Sequence, residues 1–281
     1  MMRARPPRLP RSRGAQPMPE PTGRRLWLRS DLAAHLRAAG LERADAVLVH
    51  AGLRSLGPVL GGPDTLIGAL LDVVGPEGTI LGYCDWQLED EILEMPDLRE
   101  HIAPFDPASS RSIRDNGAFP EMLRTTPGAC RSASPGASCA ALGGRAEWFT
   151  ADHALDYGYG PQSPFGKLVE AGGKTLLLGA PRDTMTLLHH AEHLARFPRK
   201  RIRRYETPIL VDGHTHWRWF EEYDTSEVPD GMEDDYFATI VTDFLATGQG
   251  WQGKIGDADS VLVDAASMID FATRWMEARL A

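Results

Sequence analysis

Apolar positions along the chain follow two rhythms, one helical and one of short continuous runs. Leu32 and Leu36 recur at helical spacing between Ser30, which reads as an N-cap, and Gly40, which ends the pattern, so a helix is expected through Ala39. Residues 46–50 (Ala-Val-Leu-Val-His) form a short apolar run of the buried-strand kind. A glycine-rich turn follows, then an amphipathic stretch over residues 64–74 closed by Gly75-Pro76, then a second strand-like run at 79–83. Strand, helix and strand in that order predict a βαβ unit, with a parallel pair covered by helices.

Residues 85–117 break the rhythm. Their mixed charge, scattered prolines and lack of a sustained period predict a lid or binding loop. The pattern resumes with a helix near 119–125 and a buried strand over 174–180, after which Asp183 and Thr184 offer oxygens to cap a helix. Residues 208–220 read as a hairpin turning at Asp212-Gly213, expected to add an antiparallel element to the sheet. Helices near 233–246 and 265–280, with a short strand at 260–263, close the chain. No internal repeat is visible. The expectation is a single α/β domain over residues 26–281, with a mixed central sheet and helices on both faces.

Composition refines this picture. A chain of 281 residues that is 42% apolar can bury a sizeable core. No apolar run approaches the ~20 residues that cross a bilayer, and the arginine-bearing N-terminus lacks an apolar signal segment. A soluble, cytoplasmic protein is expected. Three cysteines (Cys84, Cys130, Cys139) cannot all pair within one chain and fit no zinc-knuckle spacing, so reduced thiols are expected. The net charge of −9 is uneven. Residues 1–25 hold seven Arg, one Glu and six Pro without hydrophobic period, which predicts a disordered basic tail. The remaining 256 residues carry about −15, a balance that disfavours nucleic acid and attracts cations.

The densest chemistry lies in Thr186-Leu187-Leu188-His189-His190-Ala191-Glu192-His193. A histidine and a carboxylate three apart share one helix face, and the segment follows a buried strand. An imidazole at the end of a sheet is placed for general-base work, since its ordinary pKa of ~6.5 lets it take a proton near neutrality. His189 is the candidate base, a structural helix histidine the rival reading. His189 and His193 also stand four apart, which is metal-ligand spacing, but the H-E-x-x-H order of zinc hydrolases is absent. A metal-dependent hydrolase using these two histidines is the alternative enzyme reading, and an acidic non-catalytic binding protein a third.

Four blocks in this order resemble the aminoglycoside 3-N-acetyltransferase family: Leu48-Val49-His50-Ala51-Gly52-Leu53-Arg54-Ser55-Leu56-Gly57, Arg131-Ser132-Ala133-Ser134-Pro135-Gly136-Ala137-Ser138, Asp156-Tyr157-Gly158-Tyr159-Gly160 with Ser163-Pro164-Phe165-Gly166-Lys167-Leu168, and Leu188-His189-His190-Ala191-Glu192. One departure stands out, because many members carry His-Pro where this chain has Ser134-Pro135. The resemblance implies a three-layer α/β/α fold and transfer of acetyl from acetyl-CoA, as co-substrate, to the 3-amino group of a 2-deoxystreptamine ring, giving antibiotic resistance. It implies a CoA site on the first block, at Leu53, Arg54, Ser55, Leu56 and Gly57, with Ser132 and Ser138 adding polar contacts. It also implies a carboxylate beside the base, Glu222 preferred as the group that orients His189 and Asp224 next. Asp85, Asp156, Tyr157 and Glu192 are the candidates to receive substrate ammonium groups, Glu192 being equally a candidate to orient the base. Cys84 and Cys139 read as small buried apolar residues, so direct transfer is expected over an acyl-enzyme.

Overall fold

The computed structural model describes residues 25–86, 95–198, 200–225, 228–229 and 231–280. The expected basic tail, apart from Arg25, and residues 87–94 of the expected lid lie outside the described residues.

The βαβ unit forms as its pattern predicts. Strand β1 (Ala46–Ala51), helix α2 (Pro63–Val74) and strand β2 (Thr79–Tyr83) follow helix α1 (Arg29–Ala39), and β1 pairs with β2 in parallel from Ala46 opposite Thr79. Asp31, rather than Ser30, provides the cap of α1, its Oδ2 accepting the Leu28 N–H at 3.2 Å. Strand β5 (Lys174–Leu178) pairs with the other side of β1, again in parallel. Where these two strands end, the chains approach closely: a Cβ on Gly52 would lie 2.3 Å from the Gly179 carbonyl oxygen. Only glycine leaves room for that approach.

Antiparallel strands flank this parallel centre. On one side lie β4 (Cys139–Gly143) and the two-residue β3 (Cys130–Arg131), on the other β9 (Ala258–Asp264) and β8 (Trp251–Ile255). The order across the seven-stranded sheet is β3-β4-β2-β1-β5-β9-β8. Successive residues of β1 serve opposite faces: Ala46 and Leu48 enter one core, Val47 and Val49 the other. Burial on both faces is why the central strands read as unbroken apolar runs.

Helices cover both faces, as expected for three layers. One core takes Leu32 and Leu36 of α1, Leu66 and Leu70 of α2, and Phe119 and Leu123 of α3 (Phe119–Thr125). The other takes Phe149 of α4 (Ala146–Thr150), Phe165 of α5 (Pro164–Glu170), Leu188 of α6 (Leu188–Leu194), Phe244 of α7 (Tyr236–Ala246) and Met276 of α8 (Ala265–Leu280). Each such side chain contributes roughly 1.5–3 kcal/mol by leaving water. Among the described residues, no helix is long and apolar enough to cross a membrane.

The hairpin corrects one expectation. Strands β6 (Ile202–Val211) and β7 (His214–Tyr223) pair with each other as a two-stranded sheet, to which Phe105 adds an isolated bridge at Ile209, and do not join the central one. The turn itself is as expected, with Asp212 at φ 50° and Gly213 at φ 78°, the left-handed pair that matches strand twist. The antiparallel strands of the main sheet are β3, β4, β8 and β9 instead. The inner face of the hairpin, carrying Tyr205, Phe220 and Glu222, closes over the loops at the end of the sheet, while Trp219 on the other face is 64% exposed.

Candidate active site

The site begins where β5 runs out. A single-turn 3-10 segment (Arg182–Thr184) leads to α6. Asp183 and Thr184 do not cap that helix: Thr184 Oγ1 donates to Pro181 O at 2.6 Å, and the N-cap residue is Leu187. α6 is held from outside. His190 Nδ1 donates to Tyr159 O at 2.6 Å, and Lys200 Nζ donates to the carbonyls of His193 and Ala195, both at 2.8 Å. Those carbonyls would otherwise be the orphan acceptors of a helix C-terminus.

His189 Nδ1 donates to Glu192 Oε2 at 2.5 Å. Tyr236, the first residue of α7, donates its hydroxyl to the other oxygen, Oε1. Glu192 is 7% exposed, so these two bonds replace the water its charge has lost. A carboxylate only accepts, which fixes the imidazole tautomer: hydrogen on Nδ1, lone pair on Nε2. The partner on Nδ1 is therefore Glu192, not the preferred Glu222. The reason is reach, since three residues along a helix stack the two side chains.

Glu222 enters from β7 instead, with Oε1 accepting the Tyr223 N–H at 2.9 Å. Burial pushes its pKa up to about 7, against the downward pull of the Tyr223 and Gly158 N–H groups, nearby His189 and the Tyr159 N–H. Asp224 borders the same space, its N–H bonded to Arg201 O at 3.0 Å, and is not the group on Nδ1.

His189 stands in the wall between two cavities. The first, of about 340 Å³, is lined by Asp85, Asp115, Glu222 and Asp224 together with Tyr83, Tyr159 and Tyr205. Arg203, Tyr205 and Thr207, every second residue of β6, supply part of its wall. The second, of about 370 Å³, is bounded by Ala51, Gly52, Ala180, Pro181 and Phe237. Tyr83, Asp115, Asn116 and His189 line both. Asp85 is 8% exposed and accepts from the Asn116 amide; burial pushes its pKa up to about 6.

Other expected residues fall elsewhere. Ser132 and Ser138 are fully buried: Ser132 Oγ accepts the Cys139 N–H at 3.0 Å and Ser138 Oγ donates to Cys84 O at 2.8 Å. Neither hydroxyl is open to a ligand, which corrects their assignment to CoA. Asp156 and Tyr157 do not reach the acidic cavity. Asp156 accepts the Glu221 N–H at 3.0 Å and Tyr157 donates to the Glu221 carboxylate, both beside a separate depression next to Trp219. Tyr157 has φ 54°, a left-handed kink after which Tyr159 lines the cavity. In the turn Leu53–Leu56, Arg54 and Ser55 are exposed while the Leu56 side chain is buried in the core; Ser55 Oγ donates to Gly52 O at 2.6 Å and Gly57 closes the turn at φ 78°. That turn directly follows Gly52 on the rim of the second cavity.

The histidine pair assembles no donor set. His193 faces the rings of Tyr157 and Tyr223, and among the described residues no group of three or more His, Cys, Asp or Glu side chains is placed to hold a metal ion. Cys84 and Cys139 are fully buried, and burial pushes both thiols up, away from the nucleophilic thiolate.

Several site residues carry no signal in the sequence. Tyr236 lies 44 residues beyond Glu192. Asn116 and Asp115 sit in an unremarkable Arg-Asp-Asn-Gly turn of the expected lid. His153 is 6% exposed, with Nε2 on Gly158 O at 2.7 Å and Nδ1 on the Ser132 hydroxyl at 2.9 Å; it braces the turn that carries Tyr159. Ser134, where the resemblance expects histidine, is 3% exposed and lines the acidic cavity.

Comparison with known proteins gives a consistent answer. The family described as aminoglycoside 3-N-acetyltransferase matches residues 48–277. An aminoglycoside N(3)-acetyltransferase III of Pseudomonas aeruginosa is 45% identical over 258 residues, covering 88% of this chain and 93% of the relative. An aminoglycoside N(3)-acetyltransferase VII of Streptomyces paromomycinus is 46% identical over 268 residues, covering 90% and 92%. The solved structure of AAC-IIIb binary with CoASH superposes with a TM-score of 0.89 at 56% identity, covering 92% of this chain and 98% of that one. With the fold, the helix motif and nearly the full length in agreement, the chain belongs to the aminoglycoside 3-N-acetyltransferase family, enzymes of the acyltransferase class.

Proposed function

We propose that this chain acetylates the 3-amino group of the 2-deoxystreptamine ring of an aminoglycoside, by direct transfer from acetyl-CoA, with His189 as general base. One observation carries the reading: His189 borders both cavities while Glu192 holds its Nδ1, so the unpaired Nε2 is the nitrogen left for a substrate. Solved relatives include an AAC-VIa bound to sisomicin, 36% identical. The acidic cavity suits such a polycation, with Asp85, Asp115, Glu222 and Asp224 as its counter-charges.

The second cavity fits a thin acyl carrier. Its lining at Ala51, Gly52, Ala180 and Pro181 is small or glycine, and His50 Nε2 on its border is buried without a hydrogen-bond partner. Main chain near Gly52 and Ala180 would hold the pantetheine arm, and the exposed Arg54 its anionic end. When bound, acetyl-CoA supplies the activated acetyl group. His189 Nε2 takes the amine proton, and Glu192 stabilises the imidazolium so formed while Tyr236 steadies Glu192. Acetylation removes a positive charge from the antibiotic and adds bulk, which weakens its grip on ribosomal RNA and confers resistance.

The test is thiol release from acetyl-CoA with gentamicin, kanamycin or no acceptor, for wild type and His189→Ala. Release that depends on the aminoglycoside and collapses in the variant is expected, with mass spectrometry and NMR locating the acetyl group on the 3-amino nitrogen. Wild-type inactivity with every aminoglycoside would sink the reading; full activity of the variant would remove His189 from its role.

A further inference from the structure

In the scheme above Glu222 is only one of four counter-charges, because the place on His189 Nδ1 belongs to Glu192. It nonetheless projects from the inner face of the hairpin into the acidic cavity that His189 borders from α6. The proton count of the reaction leaves a task unfilled. An aliphatic amine is an ammonium near neutrality. It must lose one proton to expose a lone pair and another as the amide forms. His189 has one lone pair, on Nε2, since its Nδ1 hydrogen is committed to Glu192. One imidazole does not hold both protons.

We infer that the Glu222 carboxylate takes the first proton, from the bound ammonium, and His189 the second. The inference rests on the reading of His189 as base. In the first step R–NH3⁺ and carboxylate become R–NH2 and carboxylic acid. In the second the amine nitrogen bonds the acetyl carbon as the carbon–sulfur bond breaks, and the second proton passes through His189 Nε2 to the departing sulfur. Glu222 then releases its proton to solvent through the cavity. Each turnover frees one proton and calls for no oxidant or reductant.

The surroundings of Glu222 suit a carboxyl that changes state near neutrality. Its carboxylate meets main-chain donors, the Tyr223 N–H at 2.9 Å foremost, while burial opposes its charge and brings its pKa to about 7. The charged and titratable groups that face it are Arg203 and Tyr205 of the facing strand, the adjoining Tyr223, His189 from α6, Tyr157 and Tyr159 from the turn before α5, and Tyr83, Asp85, Asp115 and Asp224 around the same cavity. A protonated His189 would lower the Glu222 pKa, so the two proton acceptors are electrostatic neighbours.

The experiment is the pH profile of kcat/KM for gentamicin between about pH 6 and 9, for wild type, Glu222→Gln, Glu222→Asp and His189→Ala. Wild-type activity rises through the Glu222 titration and then levels. Glu222→Gln should lose roughly 10²-fold near neutrality and regain about tenfold per pH unit as solution deprotonates the amine. Glu222→Asp, which keeps a carboxylate, should restore the wild-type shape. A Glu222→Gln profile parallel to wild type would reduce Glu222 to a counter-charge and overturn the inference, as would activity that stays lost at high pH. His189→Ala separates the two ideas. It should be inactive at every pH; if it is active, the base reading falls while the Glu222 profile is judged by itself.

Discussion

The Glu192 carboxylate decides the state of His189, the proposed base. One oxygen takes the His189 hydrogen and the other the Tyr236 hydroxyl, in a site where neither group is solvated well enough to do without a partner. Glu192→Gln replaces an obligate acceptor by an amide, so the tautomer is no longer dictated and the imidazolium loses its counter-charge. A fall in kcat of about 10²-fold or more is expected, with the KM for aminoglycoside little changed. Tyr236→Phe keeps the carboxylate and removes one donor, a loss of ~1 kcal/mol, hence a decrease within about tenfold. Steady-state thiol release measures both, and near-wild-type kcat in Glu192→Gln would show that the carboxylate does not orient the base. This partnership was half legible. The three-residue spacing of His189 and Glu192 is visible in the sequence, but nothing in it ranks Glu192 above Glu222, because that choice is made by where β7 passes relative to α6.

At the scale of elements, legibility followed how local the determining forces are. The runs at 46–50, 79–83 and 174–180 were readable because strands buried on both faces leave a continuous apolar record. The hairpin was readable at its turn and not at its destination: Asp212-Gly213 specifies the bend locally, whereas the sheet it joins is set by contacts far along the chain. β3 spans two residues and β8 contains Gly253, so neither builds a period long enough to detect. The turn from Tyr157 to Gly160 shows how tightly such pieces are fitted. A Cβ on Gly158 would lie 2.9 Å from Ala137 Cβ and 3.0 Å from Ser134 Oγ, on the side where Glu222 rests. Gly158→Ala should therefore lower stability by about 1–3 kcal/mol and raise the KM for aminoglycoside as Ser134 and Glu222 are displaced. Chemical denaturation and initial rates report the two effects, and an unchanged pair of values would show that the turn has slack.

At the scale of the whole molecule, the sheet acts as a frame that brings together residues from the ends of β2, β5 and β7, the turn at Arg114–Asn116 and α7. Asp85, Asn116, His189, Glu222 and Tyr236 are scattered over more than half of the chain, so a motif scan finds the helix and misses most of the site. The acidic balance of the sequence does find a place, in a cavity bordered by Asp85, Asp115, Glu222 and Asp224. The wall formed by Tyr83, Asp115, Asn116 and His189 has a kinetic meaning as well. On the proposed reading each ligand has a cavity of its own and need not wait for the other, so a random order of arrival is expected. Titration calorimetry should detect either ligand alone on the free enzyme, and double-reciprocal plots at varied concentrations of both should intersect. Parallel lines would mean that the first product leaves before the second substrate enters, and the wall would then divide two half-reactions in time rather than two guests in space.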